Sequence, residues 1–93
     1  MASEWRVVFQ SDARRDVAKL KDAGLILEAI EAAEDLAYDP KPAGSIKMRG
    51  YKDLYRIRFA GGYRIVYRID EKKKTITIRA VGPRGTIYQG MRD

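Results

Sequence analysis

The stretch LYRIRFAGGYRIVYRID, Leu54 to Asp70, constrains the fold more than any other part of the chain. Its residues alternate with a period of two, so that Tyr55, Ile57 and Phe59 fall on one side of an extended segment and Leu54, Arg56 and Arg58 on the other. Gly61 and Gly62 can take the positive φ of a tight turn. Beyond them Tyr63, Ile65, Tyr67 and Ile69 repeat the apolar row, while Arg64 and Arg68 flank Val66 opposite. After the polar connection DEKKK, a strand over Thr75 to Val81 sets Ile76, Ile78 and Ala80 against Thr75, Thr77 and Arg79. The pattern predicts a three-stranded antiparallel meander with one apolar face and one face carrying five arginines.

The first half of the chain must supply what covers the apolar face. EWRVVF alternates Trp5, Val7 and Phe9 against Glu4, Arg6 and Val8 and reads as a strand. Ser11 stands as the N-cap of a helix carrying Ala13, Val17 and Leu20, which Gly24 ends. A second helix spans about Leu25 to Tyr38, with Ile26, Ile30, Ala33 and Ala37 on one stripe, widened by Leu27 and Leu36, until Pro40 and Pro42 stop it. A short extended piece follows around Ile46 to Met48. The order is β-α-α-β-β-β, an α+β two-layer sandwich in which a helical hairpin packs on one face of a largely antiparallel twisted sheet. With 93 residues, positions 1–93 make one domain.

Charge is unevenly placed. Residues 1–50 hold 8 Lys+Arg and 9 Asp+Glu, net −1, whereas residues 51–93 hold 11 and 4, net +7. The second helix carries Glu28, Glu31, Glu34, Asp35 and Asp39 with no Lys or Arg, so a polyanion is expected on the sheet and not on the helices. A solvated basic face is the plain alternative, because antiparallel sheets commonly leave one face to water. Against it, the outward positions of the three strands hold no Asp or Glu. Phosphate is the expected guest, since the planar guanidinium fork grips phosphate oxygens in pairs and keeps its charge at any working pH.

The chain has no cysteine and no histidine, which excludes disulfides, thiolate zinc sites and imidazole catalysis. No metal and no cofactor is expected. No apolar run reaches membrane-spanning length and MASEWRVVFQ lacks a secretion-signal pattern, so no membrane association and a cytoplasmic location are expected.

LYRIRFAGGYRIVYRID followed by VGPRGTIY resembles the RelE/ParE superfamily, the toxin half of type II toxin–antitoxin pairs. Trp5 with Val7 and Phe9, DPKP after the second helix, and MRGYKDLYRIR extend the resemblance over nearly the whole chain. It is closer to the RelE branch, and implies an mRNA interferase: a ribosome-dependent endoribonuclease that cleaves mRNA in the ribosomal A site. The implied partners are a cognate antitoxin, the ribosome and mRNA, with assembly into a larger toxin–antitoxin complex open.

The resemblance implies that Arg56 and Arg58 face the scissile phosphate, that Arg64 holds it, and that Arg84 and Tyr88 assist the leaving group and stack a base. Lys47, Arg49, Lys52, Arg68 and Arg79 are the expected RNA-binding residues around that centre. Two features depart from the branch: arginines stand at Arg56 and Arg58 where lysine is usual, and Pro83 stands where histidine is frequent. A guanidinium is a poor general base. The alternative is a ParE-like inhibitor of DNA gyrase, a binding protein with the same fold and no catalysis.

Overall fold

A computed structural model describes residues 5–85. Strands β1 (Arg6–Phe9), β2 (Ile46–Lys47), β3 (Leu54–Phe59), β4 (Tyr63–Asp70) and β5 (Thr75–Pro83) form one sheet in the order β1-β5-β4-β3-β2. β2 to β5 pair antiparallel in succession, and β1 lies parallel to β5 at the edge, Arg6 beside Thr75 and Phe9 beside Ile78. Helices α1 (Ser11–Lys19) and α2 (Ala23–Asp35) cover one face, α1 against β5 and α2 against β3. The α+β two-layer expectation holds.

Alternation sorts the sheet as the sequence implies. Ile57, Phe59, Ile65, Tyr67, Ile69, Ile76, Ile78 and Val81 point toward the helices, which meet them with Ala13, Ala29, Ala33 and Leu36. Three fully buried alanines let the helix backbones approach the sheet closely. Cross-strand aromatic pairs reinforce this face, with Tyr55 stacked on Tyr67 at 6.0 Å and Phe59 tilted on Tyr63 at 5.5 Å between centroids.

Several local expectations are corrected. Gln10, not Ser11, is the N-cap of α1: its N–H stays on the Ile78 carbonyl (3.0 Å) in continuation of β1 while its own carbonyl already accepts from Arg14 N–H (3.0 Å). Gly24 does not end α1. The chain reverses at Lys21 (φ 55°), and Asp22 caps α2 by accepting from Leu25 N–H at 2.9 Å, which puts Gly24 in the first turn of α2. α2 closes at Asp35 and tightens into turns that carry the chain through Tyr38, with Ala37 N–H on the Glu34 carbonyl and Tyr38 N–H on that of Asp35. Its buried stripe runs through Ala29, Ala33 and Leu36, while Leu27 is 56% exposed. α2 is thus rotated about its axis from the stripe centred on Ile26 and Ile30.

A bulge between Val66 and Tyr67 changes the parity of β5: Tyr67 pairs with Ile78 but Val66 with Ala80, so the bulged strand carries one extra residue. Ala80 therefore joins Leu54 and Val66 on the outer face and Val81 replaces it in the main core. The outer face also holds one acid, because β4 extends to Asp70, whose carboxylate accepts from Lys73 N–H (3.0 Å) in the turn.

Two long-range polar contacts fasten the layers. The Asp16 carboxylate on α1 accepts from Val81 N–H at 3.0 Å, and the buried Tyr67 hydroxyl donates to the Pro40 carbonyl at 2.8 Å. Burial, against a smaller opposing contact from Ser45, pushes the Tyr67 hydroxyl up from 10.0 to about 12.

Asp16→Ala should lower the urea midpoint by the equivalent of about 1–3 kcal/mol by leaving the Val81 amide unpaired, and Asp16→Asn, which keeps an acceptor, should recover most of it. Tyr67 holds its proton more tightly when folded, so its contribution is fully present below pH 10 and lost as the pH rises toward 12, on the order of 2–3 kcal/mol in total. Denaturant titrations of wild type and Tyr67→Phe from pH 9 to 12 should converge across that interval; parallel curves would deny Tyr67 this role.

Candidate phosphate-binding site

The outer face is ordered by the β3–β4 register. Arg58 lies opposite Arg64, Arg56 opposite Val66, and Leu54 opposite Arg68. On the next strand Gly82 stands opposite Arg64, and on the other side Ile46 stands opposite Arg56. Gly82 itself is buried. Arg84 follows at the end of β5, held by its backbone N–H on the Gly62 carbonyl (3.0 Å). The hairpin turn and the chain beyond β5 are thereby brought together.

The result is a cleft of about 170 Å³ lined by Gly44, Ile46, Arg56, Ile57, Arg58, Arg64 and Arg84. That is far above the roughly 10–15 Å³ one water needs, so a phosphodiester group has room. Four of the sequence-predicted residues meet here. No carboxylate stands among the described lining residues, and the four guanidinium groups there carry donors and no acceptor. The arrangement can neutralise and orient a phosphodiester, and can stabilise added negative charge on its oxygens. Among the described lining residues no side chain is an acceptor suited to take a proton.

Arg64 differs from the expectation of a solvent-facing side chain. It is 6% exposed, with its Nη1 donating to the carbonyl of Tyr63 at 3.3 Å, whereas Arg58 and Arg84 are exposed and Arg56 is half-buried. Guanidinium charge held at the floor of a cleft acts through less water than charge on the rim.

The remaining predicted residues lie apart. Arg68 and Arg79 do not line the cleft, and Arg68 Nη1 donates to the Lys52 carbonyl at 2.9 Å. Arg49 and Lys52 are exposed on the loop before β3. Lys47 pairs with Tyr55, which sends it to the helix-covered side of the sheet and away from the arginines. Tyr88 lies outside the described residues. The sequence reading missed Gly44 and Ile46 as walls of the cleft; the parity of Ile46 follows only from its pairing with Arg56, which two residues of strand do not announce. Among the described residues no three His, Cys, Asp or Glu side chains gather as a metal site, and no helix is long and apolar enough to cross a membrane.

Comparison with known proteins places the fold and the sequence in a family. A family model described as the ParE toxin of type II toxin-antitoxin system, parDE, matches residues 7–88. Toxin RelG of Mycobacterium tuberculosis is 34% identical over 85 residues, 91% of this chain and 97% of the relative. Among solved structures, the toxin–antitoxin complex RelBE2 of M. tuberculosis aligns with a TM-score of 0.75 at 32% identity, covering 86% of this chain and 98% of the matched one. The archaeal RelE–RelB complex of Pyrococcus horikoshii aligns with a TM-score of 0.74 at 31% identity, over 88% and 97%. With the sheet, the helical cover and the sequence in agreement over nearly its full length, this chain belongs to the RelE/ParE superfamily of type II toxin–antitoxin toxins.

Proposed function

We propose that the chain is a ribosome-dependent endoribonuclease that cleaves mRNA in the ribosomal A site and is held in check by a cognate antitoxin. The single observation that carries this reading is the convergence of Arg56, Arg58, Arg64 and Arg84 on one cleft without a carboxylate among its described lining residues. A surface that merely binds another protein has no need to bury a guanidinium beside three others, because desolvating charge is costly unless a ligand compensates it.

In the proposed reaction the RNA 2′-oxygen attacks the adjacent phosphorus, the bond to the 5′-oxygen breaks, the departing 5′-oxygen takes up a proton from water, and a 2′,3′-cyclic phosphate and a 5′-hydroxyl result. Arg64 grips a non-bridging oxygen from the cleft floor. Arg56 and Arg58 stabilise the charge that builds as the fifth oxygen joins phosphorus, and Arg84 donates a hydrogen bond to the departing 5′-oxygen. Tyr88 stacks a base. The 2′-hydroxyl proton passes to water, to the RNA or to the ribosome, since no guanidinium accepts it. Positioning and electrostatics are then the protein's contribution, which suits a substrate that arrives already ordered in the ribosome. The antitoxin follows from the assemblies formed by the structural relatives, both of them toxin–antitoxin complexes. An acidic segment of it finds complementary charge on the outer sheet face.

The second reading is a ParE-like gyrase inhibitor, favoured by the description of the matching family model. Toeprinting on translating ribosomes with the purified toxin, beside a gyrase supercoiling assay, separates the two. Cleavage within the A-site codon with unchanged supercoiling is expected; supercoiling loss with intact mRNA would establish the gyrase reading.

Arg58→Ala should lower single-turnover cleavage on programmed ribosomes on the order of a hundredfold, about 3 kcal/mol of transition-state stabilisation, with an unchanged melting temperature because Arg58 is exposed. Arg64→Met, which keeps an apolar stem in the cleft floor, should abolish cleavage with little loss of fold, whereas Arg64→Ala should also destabilise. Arg58→Lys should reduce the rate by breaking the bidentate geometry; a gain near neutral pH would instead mark this position as the place of a missing base.

A further inference from the structure

The chain between β2 and β3 folds back over the outer face of the sheet. Met48 N–H donates to the Leu54 carbonyl (2.8 Å), and Gly50 (φ 85°) and Asp53 (φ 59°) provide the left-handed turns that reverse it. Met48 and Tyr51 pack on Leu54, Val66 and Ala80, a small second core. Val66 and Ala80 share a cross-strand row with Arg56, so this core abuts the arginine cleft directly. While Met48 and Tyr51 turn toward the sheet, Arg49 and Lys52 remain exposed.

Two bonds from β4 close this loop. Ile69 N–H donates to the Asp53 carbonyl at 3.0 Å, and Arg68 Nη1 donates to the Lys52 carbonyl at 2.9 Å. The second is a charged donor on a backbone acceptor sixteen residues away, directed at a residue whose side chain is one of the loop's two exposed cations. Fixing such a loop costs about 1–2 kcal/mol of backbone entropy per residue, so its order depends on these few contacts.

We propose that Arg68 is a positioning residue: through the Lys52 carbonyl it holds the loop so that Arg49 and Lys52 extend the cationic track of the cleft and grip RNA phosphates flanking the one that is cut. Arg68 acts through Lys52 and does not itself touch RNA. This rests on the RNA-cleaving reading above, and it separates a cleft that holds the reacting phosphate from a loop that holds its neighbours.

The test is a double-mutant cycle on the affinity of the full chain for a labelled twelve-nucleotide single-stranded RNA, from 50 to 300 mM KCl. Lys52→Ala should lower the slope of log affinity against log salt by about 0.7, the share of one phosphate. Arg68→Ala should lower it by about twice as much, because both loop cations are released, and Lys52→Ala should then cost nothing further. Additive losses of about 0.7 each would mean that Arg68 contacts phosphate itself and would overturn the proposal, as would RNA binding without salt dependence or unaffected by Lys52→Ala. A purely structural Arg68 would lower the melting temperature and leave the Lys52→Ala loss undiminished.

Should Arg68→Ala not fold, Gly50→Ala provides the same disturbance locally. A methyl there meets nothing within 4 Å but is strained at φ +85°, so it loosens the loop and leaves the sheet intact. It should likewise abolish the effect of Lys52→Ala; wild-type affinity in Gly50→Ala would refute the proposal. Failure of wild type to cleave on programmed ribosomes while the cycle shows coupling would count against the enzymatic reading alone.

Discussion

The register of β3 against β4 places two arginines directly opposite each other, and like charges in such a pair repel. The two guanidinium charges themselves do not favour that juxtaposition. It is imposed from the other side of the sheet, where the same register sets Phe59 on Tyr63, Ile57 on Ile65 and Tyr55 on Tyr67. A slip of either strand by one residue would turn that strand over, sending Arg56 and Arg58, or Arg64, under the helices. The core therefore compels the arginine cleft: the apolar free energy of one face holds a charge arrangement that the other face would not adopt by itself.

Local devices then refine what the register provides. Gly82 stands opposite Arg64 on β5, and the anchored Arg84 backbone ties the end of that strand to the hairpin turn. The bulge at Val66/Tyr67 turns Ala80 outward, which builds the small core under Met48 and Tyr51 and divides the outer face into two territories. One holds the cleft. The other holds Arg68, turned to structural use by its contact with the loop. Five arginines with one sequence parity thus occupy chemically different positions.

Much of this was legible in the residues. The strands over Leu54–Phe59 and Tyr63–Ile69 declare themselves because period-two alternation and a glycine turn are local signals, and the arginine row follows from parity alone. The burial of Arg64 was not, because it depends on what the neighbouring strands lack or supply across the face. Nor was the fate of Ala80, since a bulge shifts parity without a mark in composition. The helix ends misled for a related reason: Ser11 and Gly24 carry the usual capping chemistry, but a sheet bond through Gln10 and the left-handed turn at Lys21 took precedence. Asp16, reaching a strand amide 65 residues away, has no sequence signature.

The parallel pairing of β1 with β5 has a consequence for how this protein comes into being. Strand β1 can find its partner only when Thr75 to Ile78 have been made, and the Asp16 contact to Val81 waits longer still. Contacts so distant along the chain form late in folding, after the loop entropy between them has been overcome. Arg84 joins the hairpin end only at the close of the same strand. A nascent chain released a few residues short of that strand's end would carry arginines without a completed cleft. Synthesis thus withholds the charged site until the chain has been translated through β5 to Arg84.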